Sequence, residues 1–501
     1  MQEGIEGGAP GWAPHRAAAC AVVLWLALPA LPCHAAAAGP GSGALAPPAA
    51  ASAPPAHAAT DKLSGFLDQA VRWAGVGAAD RMTARVPLAQ VRPAIVAAVQ
   101  NHPEARLAGE QRATAGFATR EALAPYLPQA SVSFDGGQRN VGAVNRPWSQ
   151  VPAYRDDSRS VGLTVRQLLY DFGATGRRLD AQRTRESAAD ARSEARQSDL
   201  ALRALANWHE VFRARQQRAL AEVNLQSRQQ TLSFIREREQ LGGSSLSDVL
   251  RVRARVSDAE AALVATDNRL LAAEASFREI FGTVPPALLD LPIAPTVDLA
   301  LYGDTQALLR ANAQLAEAQA LSDAAGLDAR ASAAALLPSL HLQANVTRRD
   351  IGGAGQAATD HAIGLVVQHN FYSGGADTAR ADQVRQRAVE SQLEVDVLRR
   401  QLDRALQQAV ADVRTADALV AARADAVRVA SQAFEAVREQ FAFRRGTLLD
   451  LLRAQEDLYL AGRDLIDGVI DHAVARYRLL HLGSGLTPLL ALAPRSPSAP
   501  H

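Results

Sequence analysis

The stretch SSLSDVLRVR at residues 244–253 returns, altered but recognisable, as GTLLDLLRAQ at residues 446–455. In each, an Asp opens an apolar turn and an Arg follows three residues on: Asp248 with Arg251, and Asp450 with Arg453. Positions 248 and 450 stand 202 residues apart in a chain of 501, so the echo is not local. A period of nearly half the chain points to a duplicated unit.

The surrounding patterns repeat in the same order. In the first half, VRPAIVAAVQNHPE (91–104) has helical spacing, is interrupted at Pro103 and resumes to about Ala122. LPQASVSF (127–134) then switches to period two, as does SVGLTVRQLLYDFG (160–173), and helical spacing persists from there to about Gly282. The second half shows a helix from about Thr305, ALLPSLHLQANV (335–346), DHAIGLVVQHNFYSGG (360–375), and helix from Ala376 to about His481. Gly162 corresponds to Gly364 and Pro128 to Pro338, so each half reads helix, strand, strand, long helix, turn, helix.

In the long helices Val395, Leu398, Leu402, Ala405, Ala409, Val413, Ala416 and Val420 step by three or four residues, with charged residues between them. That is one apolar stripe on an otherwise solvated rod. At 1.5 Å per residue, ~65 residues make a rod on the order of 100 Å, and its stripe must pack on other long helices. The low aromatic content, 5%, and the abundance of Ala, Arg, Gln and Leu fit packing through small side chains. A generic coiled coil explains this much, but it does not explain the strands. Leu340, Leu342, Ala344 and Val346 alternate with His341, Gln343, Asn345 and Thr347. Val161, Leu163 and Val165, and Ile363, Leu365 and Val367, alternate in the same way. One apolar and one polar face suits a half-buried strand, either soluble or lipid-facing. Tyr170, Phe172, Phe371 and Tyr372 cluster where the second strand of each half ends. They read equally as core aromatics or as a girdle at a membrane interface. Four strands cannot leave open edges in lipid, so a spanning sheet requires several chains to share one barrel. Two chains give eight strands and a filled interior; three give twelve and room for a water-filled pore.

Arg16 followed by an apolar run ending in small residues predicts a secretory signal peptide over 1–38, despite Glu3 and Glu6 ahead of it. Cys20 and Cys33 both fall inside it, so the mature chain would lack cysteine; Cys33 as a lipid-attachment site is disfavoured by Pro32. A Pro/Ala-rich linker is expected over 39–85, the first repeat over 86–282 with its hairpin at about 126–172, and a connector over 283–303. The second repeat follows over 304–482, with its hairpin at about 337–373, and a disordered tail over 483–501. A formal net charge of +1 argues against a nucleic-acid partner.

Taken in order, these stretches resemble the TolC-like outer-membrane efflux proteins over about residues 88–482. VRPAIVAAVQNHPE is similar to the family's entry helix, and LPQASVSF and LLPSLHLQANV to its first strand in each half. LLYDFGATGRR and HNFYSGGADTAR resemble its strand-to-helix elbows at Gly173 and Gly374, and LLDLLRAQEDLY its inter-helix turn. The resemblance implies a mainly α fold with β: long helices forming a periplasmic barrel, and four strands per chain in a shared twelve-stranded outer-membrane barrel. It implies a homotrimer in outer-membrane lipid, reaching into the periplasm of a Gram-negative cell. Its implied partners are a periplasmic adaptor (membrane fusion) protein and an inner-membrane pump, an ABC transporter or a proton-driven one.

In that family the paired turns form the periplasmic tip, and the carboxylate matching Asp450, with Asp248 its counterpart, lines the entrance. Two departures stand out. Arg444 occupies the place of the tip glycine six residues before Asp450, as Gly242 stands before Asp248, with a glycine shifted to Gly446. Arg453 replaces a second acidic residue, so an all-acidic ring is not expected. The residues alone also allow a helix start, where Asp near the N-terminus is favourable by ~0.3–1 kcal/mol and an i,i+3 Asp/Arg pair adds ~0.2–0.5 kcal/mol. The two readings are compatible, and the repeated spacing suggests that Asp450 and Arg453 pair within or between protomers to hold the tip shut.

No phosphate-binding glycine loop, paired metal-ligand histidines or Gly-x-Ser-x-Gly occurs, so neither an enzyme nor a cofactor is expected. The leading expectation is a passive export duct. FRRGTLLDLLRAQEDLY (443–459) resembles ducts for type I secretion of a large protein, a toxin or adhesin, more than multidrug-efflux members. The alternatives are the exit duct of a small-molecule pump, or a structural periplasmic coiled-coil protein.

Overall fold

The computed structural model describes residues 66–68, 86–141, 143–146, 148–151, 154–349 and 358–492. The expected signal peptide with Cys20 and Cys33, most of the linker and the end of the tail lie outside the described residues.

The first half runs α1 (Leu88–Asn101), α2 (Pro103–Leu123), β1 (Gln129–Val141), β2 (Val144–Arg146), β3 (Ser149–Val151), β4 (Tyr154–Tyr170), α3 (Ala174–Gln240) and α4 (Leu246–Phe281). The second runs α5 (Thr305–Arg310), α6 (Ala313–Ala334), β5 (Ser339–Arg349), β6 (Ala358–Gln368), α7 (Ala376–Ala442), α8 (Leu448–Leu482) and a short α9 (Leu486–Leu490). α3 and α7 have 67 residues each, and α4 and α8 have 36 and 35. The repeat is thus kept in helix length as well as in order.

The interruption in the first helix falls at His102 rather than Pro103. His102 is extended (φ −64°, ψ 136°), its Nδ1 accepts from Glu104 N at 3.2 Å, and Pro103 opens α2, where its missing N–H costs nothing. Asn312 does the same work in the second half, its Oδ1 accepting from Gln314 N and Leu315 N. Residues 102 and 312 are separated by the same 210 positions as Pro128 and Pro338, so the break belongs to the repeat.

α3 and α8 pack along one another, with α1 and α4 against α3. Leu200, Leu205, Val211 and Leu220 meet Ile95, Phe277, Leu465 and Ile466 in one core. Small residues set the approach: a Cβ on Gly462 would stand 2.4 Å from Leu67 Cδ2 and 3.3 Å from Leu220 Cδ2. That contact corrects the linker reading, because Phe66–Asp68 is helical and Leu67 is 1% exposed. Full burial of one Leu contributes ~1.5–3 kcal/mol toward docking the segment. The connector is also packed. Val86 N donates to Leu291 O and Ile293 N to Val86 O, while Trp208 Nε1 donates to Asp290 O at 2.9 Å. The described part of the tail is likewise ordered by burial, since Leu486 and Leu490 are both fully buried.

Candidate functional site: the paired helical turns and the four-stranded sheet

The first turn joins α3 to α4. The chain leaves α3 through Gly242, whose φ of +72° is left-handed, with Gly242 N donating to Glu239 O and Gly243 N to Arg238 O. Arg238 Nε closes the loop on Gly243 O at 3.0 Å. Ser245 then caps α4 in a complete capping box: Ser245 Oγ accepts from Asp248 N, and Ser245 N donates to Asp248 Oδ2. The Ser245 hydrogen bonds hold the Asp248 carboxyl below the usual carboxylate range. Arg251 Nη1 lies 3.3 Å from Asp248 Oδ1.

The second turn, from α7 to α8, has the same backbone and different side chains. Arg444 sits at φ +60°, the left-handed position that Gly242 fills, and Arg445 N donates to Gln440 O as Gly243 N does to Arg238 O. The glycine role has therefore not shifted to Gly446, which lies outside the left-handed region; a Cβ there would stand 3.2 Å from Phe441 N. Thr447 caps α8 by accepting from Asp450 N and donating to Asp450 Oδ2 at 2.6 Å. The i,i+3 Asp–Arg spacing closes into an intrachain pair only in the first half: among the described residues neither Asp450 nor Arg453 has an ion pair. Arg453, the sixth residue of α8, is exposed.

Three contacts that the motifs did not reveal join the two turns. Phe234 of α3 meets Phe441 of α7 edge-on at 6.1 Å, and the Arg238 guanidinium lies over the Phe441 ring at 5.3 Å. Farther along, α3 and α8 share a buried polar layer. Arg228, 1% exposed, pairs with Glu456 and donates from Nε to Asn224 Oδ1, and Gln455 Nε2 donates to Ser227 Oγ at 2.7 Å. The signal for this layer was polar residues interrupting the apolar stripe of α3, which a periodicity reading treats as noise.

The sheet has the order β1-β4-β5-β6, antiparallel throughout. Its register aligns the alternation of all four strands. Ala130, Val165, Ala344 and Ile363 form one cross-strand row, and Val132, Leu163 and Val346 lie in the next. On the opposite face stand Gln129, Arg166 and Gln343 in one row and Ser131, Thr164 and Asn345 in another. The apolar face is uncovered: Phe134, Ile363, Leu365 and Val367 are each at least 66% exposed. Among the described residues β1 and β6 have no neighbour on their outer edges. β2 and β3 pair with each other as a small extension at the far end of the first hairpin.

Strand passes to helix through two consecutive left-handed residues in each half: Phe172 and Gly173 (φ +57° and +80°), and Gly374 and Gly375 (φ +67° and +84°). Gly173 thus corresponds to Gly375, and Gly374 to Phe172. Tyr170 and Phe172 pack at 4.8 Å, whereas Phe371 and Tyr372 are 93% and 80% exposed. Among the described residues no helix is long and apolar enough to cross a membrane, and no group of His, Cys, Asp and Glu is placed to hold a metal ion.

The family model described as "Outer membrane efflux protein" matches residues 94–283 and 305–480, the two repeats. The outer membrane efflux protein BepC of Brucella suis biovar 1 is 27% identical over 368 residues, covering 73% of this chain and 79% of that one. The proteases secretion protein PrtF of Dickeya chrysanthemi is 26% identical over 383 residues, covering 74% and 82%. Among solved structures, the outer membrane protein VceC of Vibrio cholerae superposes with a TM-score of 0.70 at 20% identity, over 79% of this chain and 96% of that one.

Proposed function

Because the chain belongs to the outer membrane efflux protein family, whose TolC-like fold it shares, it is an outer-membrane channel component, and we propose that it is the passive duct of a tripartite system for type I secretion of a large protein. The observation that carries the duct is the sheet. Its register puts an uncovered apolar face against a polar face, and both edges are open. Lipid tolerates the first feature and forbids the second, so the edges must be closed by further copies of the chain. Three copies close a twelve-stranded barrel with its polar face inward, and the exposed Tyr170, Phe371 and Tyr372 stand at its helix-side rim as an aromatic girdle. α3 and α7, each 67 residues and about 100 Å long, continue the conduit into the periplasm. There an adaptor and an inner-membrane pump, of the ABC type for a large protein cargo, would engage it. The chain contributes no energy of its own to transport.

The choice of cargo rests on the tip sequence FRRGTLLDLLRAQEDLY and on the likeness to PrtF, whose name records protease secretion. The likeness to BepC supports the second reading, the exit duct of a small-molecule efflux pump. Comparing the culture-supernatant proteins and drug sensitivity of a parent strain with those of a strain lacking this gene decides between them. Loss of one or two large secreted proteins with little sensitisation is expected; an unchanged secretome with strong sensitisation would leave the small-molecule reading standing.

At the tip, Asp450 and Arg453 each lack an ionic partner among the described residues. In the assembled channel they pair between protomers and hold the entrance shut. Asp450→Ala should raise the closed-state single-channel conductance several-fold, and an unaltered closed-state current would sink the gate.

A further inference from the structure

Where the polar face of the sheet meets the first turns of α3, the chain forms an open cleft of about 400 Å³. Arg166, Arg178, His341, Gln368, Asn370 and Asp171 are among the residues that line it. Arg166 Nη2 donates to Gln368 Oε1 at 2.9 Å, but its Nε is out of solvent and has no partner. His341 Nε2 lies 3.1 Å from Ser339 Oγ, and its Nδ1 is likewise buried without a partner. Arg178 has no ion pair among the described residues. The one carboxylate in the wall is engaged elsewhere, with Asp171 Oδ1 accepting from Gly173 N at 3.1 Å and Oδ2 from Thr175 N at 2.7 Å. Two guanidiniums against one capped carboxylate leave the pocket wall with a positive charge. Buried polar groups are rarely left without a partner.

We propose that this pocket binds a carboxylate group. A guanidinium edge presents N–H donors in a planar fork that fits the two oxygens of a carboxylate, and Arg166 has part of that edge unspent. Arg178 at the mouth supplies the second cation, and the amides of Gln129 and Asn370 line the walls. The pocket lies wholly within one protomer, so binding does not depend on how many copies assemble. Its placement in the conduit wall, where acidic groups of passing cargo would meet it at the step from helices to strands, does rest on the shared barrel proposed above.

Titrating the full-length protein in detergent with citrate by calorimetry tests the site independently of any transport. Saturable binding is expected, weakened at least tenfold in Arg166→Gln and in Arg178→Gln, and unchanged in Arg385→Gln, an exposed arginine on α7 paired with Asp382. Arg178 is itself exposed, so its variant keeps the test open should Arg166→Gln fail to fold. No saturable citrate binding by the parent protein, or binding that survives both pocket variants, overturns the proposal.

Discussion

The two helical turns share a backbone and divide the stabilising work differently. The first has glycine at its left-handed residue, a complete capping box and an Asp–Arg pair, all within the chain. The second has Arg444 at the left-handed residue, one cap from Thr447, and an Asp and an Arg that do not meet. A left-handed L-residue costs roughly 1–2 kcal/mol, and an N-cap contributes about 1 kcal/mol. The second turn is therefore the weaker of two equivalents, with its charges left over for other partners. Duplication preserved the hinge geometry, and the side chains then made one hinge self-sufficient and the other dependent on what surrounds it.

The contacts between the turns offer the sharpest way to break this comparison. Glu456 neutralises the buried Arg228 where α3 runs beside α8, so Glu456→Ala leaves a guanidinium desolvated between the helix of one turn and the helix of the other. Removing one partner of a buried pair costs ~3–5 kcal/mol. Because Glu456 is 41% exposed, we expect about 2–3 kcal/mol, read as a lowered midpoint in denaturant unfolding. Faster amide exchange should appear in both turns together; exchange confined to one would show that the layer does not couple them.

A reciprocal exchange at the left-handed position is the next test. Nothing lies within 4 Å of a Cβ on Gly242, so Gly242→Ala is purely conformational and should destabilise the first turn by about 1 kcal/mol. Arg444→Gly should relieve the second by about 0.5–1 kcal/mol, less than the full strain because glycine also loosens the unfolded chain. Equal effects of the same sign would show that the two turns are not equivalents.

The smallest expected effect is acid sensitivity. The Asp248 carboxyl titrates below its ordinary value of 3.8, because hydrogen bonds from Ser245 favour the charged form. Its stabilising contribution is therefore present above 3.8 and is lost as pH falls through the lowered value. Amide protection factors at the start of α4, each referred to the intrinsic rate at its own pH, should fall by less than tenfold between pH 5 and pH 3. The capping-box variant Ser245→Ala should abolish that difference.

The order of elements in each half, the long helical stripes and the alternating strands were all legible, because each is a periodicity carried by neighbouring residues. Asp248 and Asp450 were placed correctly near helix starts for the same reason, since caps are local. Contacts such as Phe234 with Phe441, or Arg228 with Glu456, were not legible, because they join residues 207 and 228 positions apart through packing that no periodicity records. The packing of Leu67 and Leu291 was not legible, because the composition around them is that of loops and they are held by surfaces made elsewhere. By itself, the sequence determined the twofold repeat, the order of the long helices and main strands in each half and which residues of each strand share a face. Only the tertiary structure decided that the four apolar faces fall in one register, that Arg444 takes the left-handed site, and that Asp450 and Arg453 remain apart. Those outcomes depend on which segments meet across the fold, where burial and backbone geometry outweigh local preference.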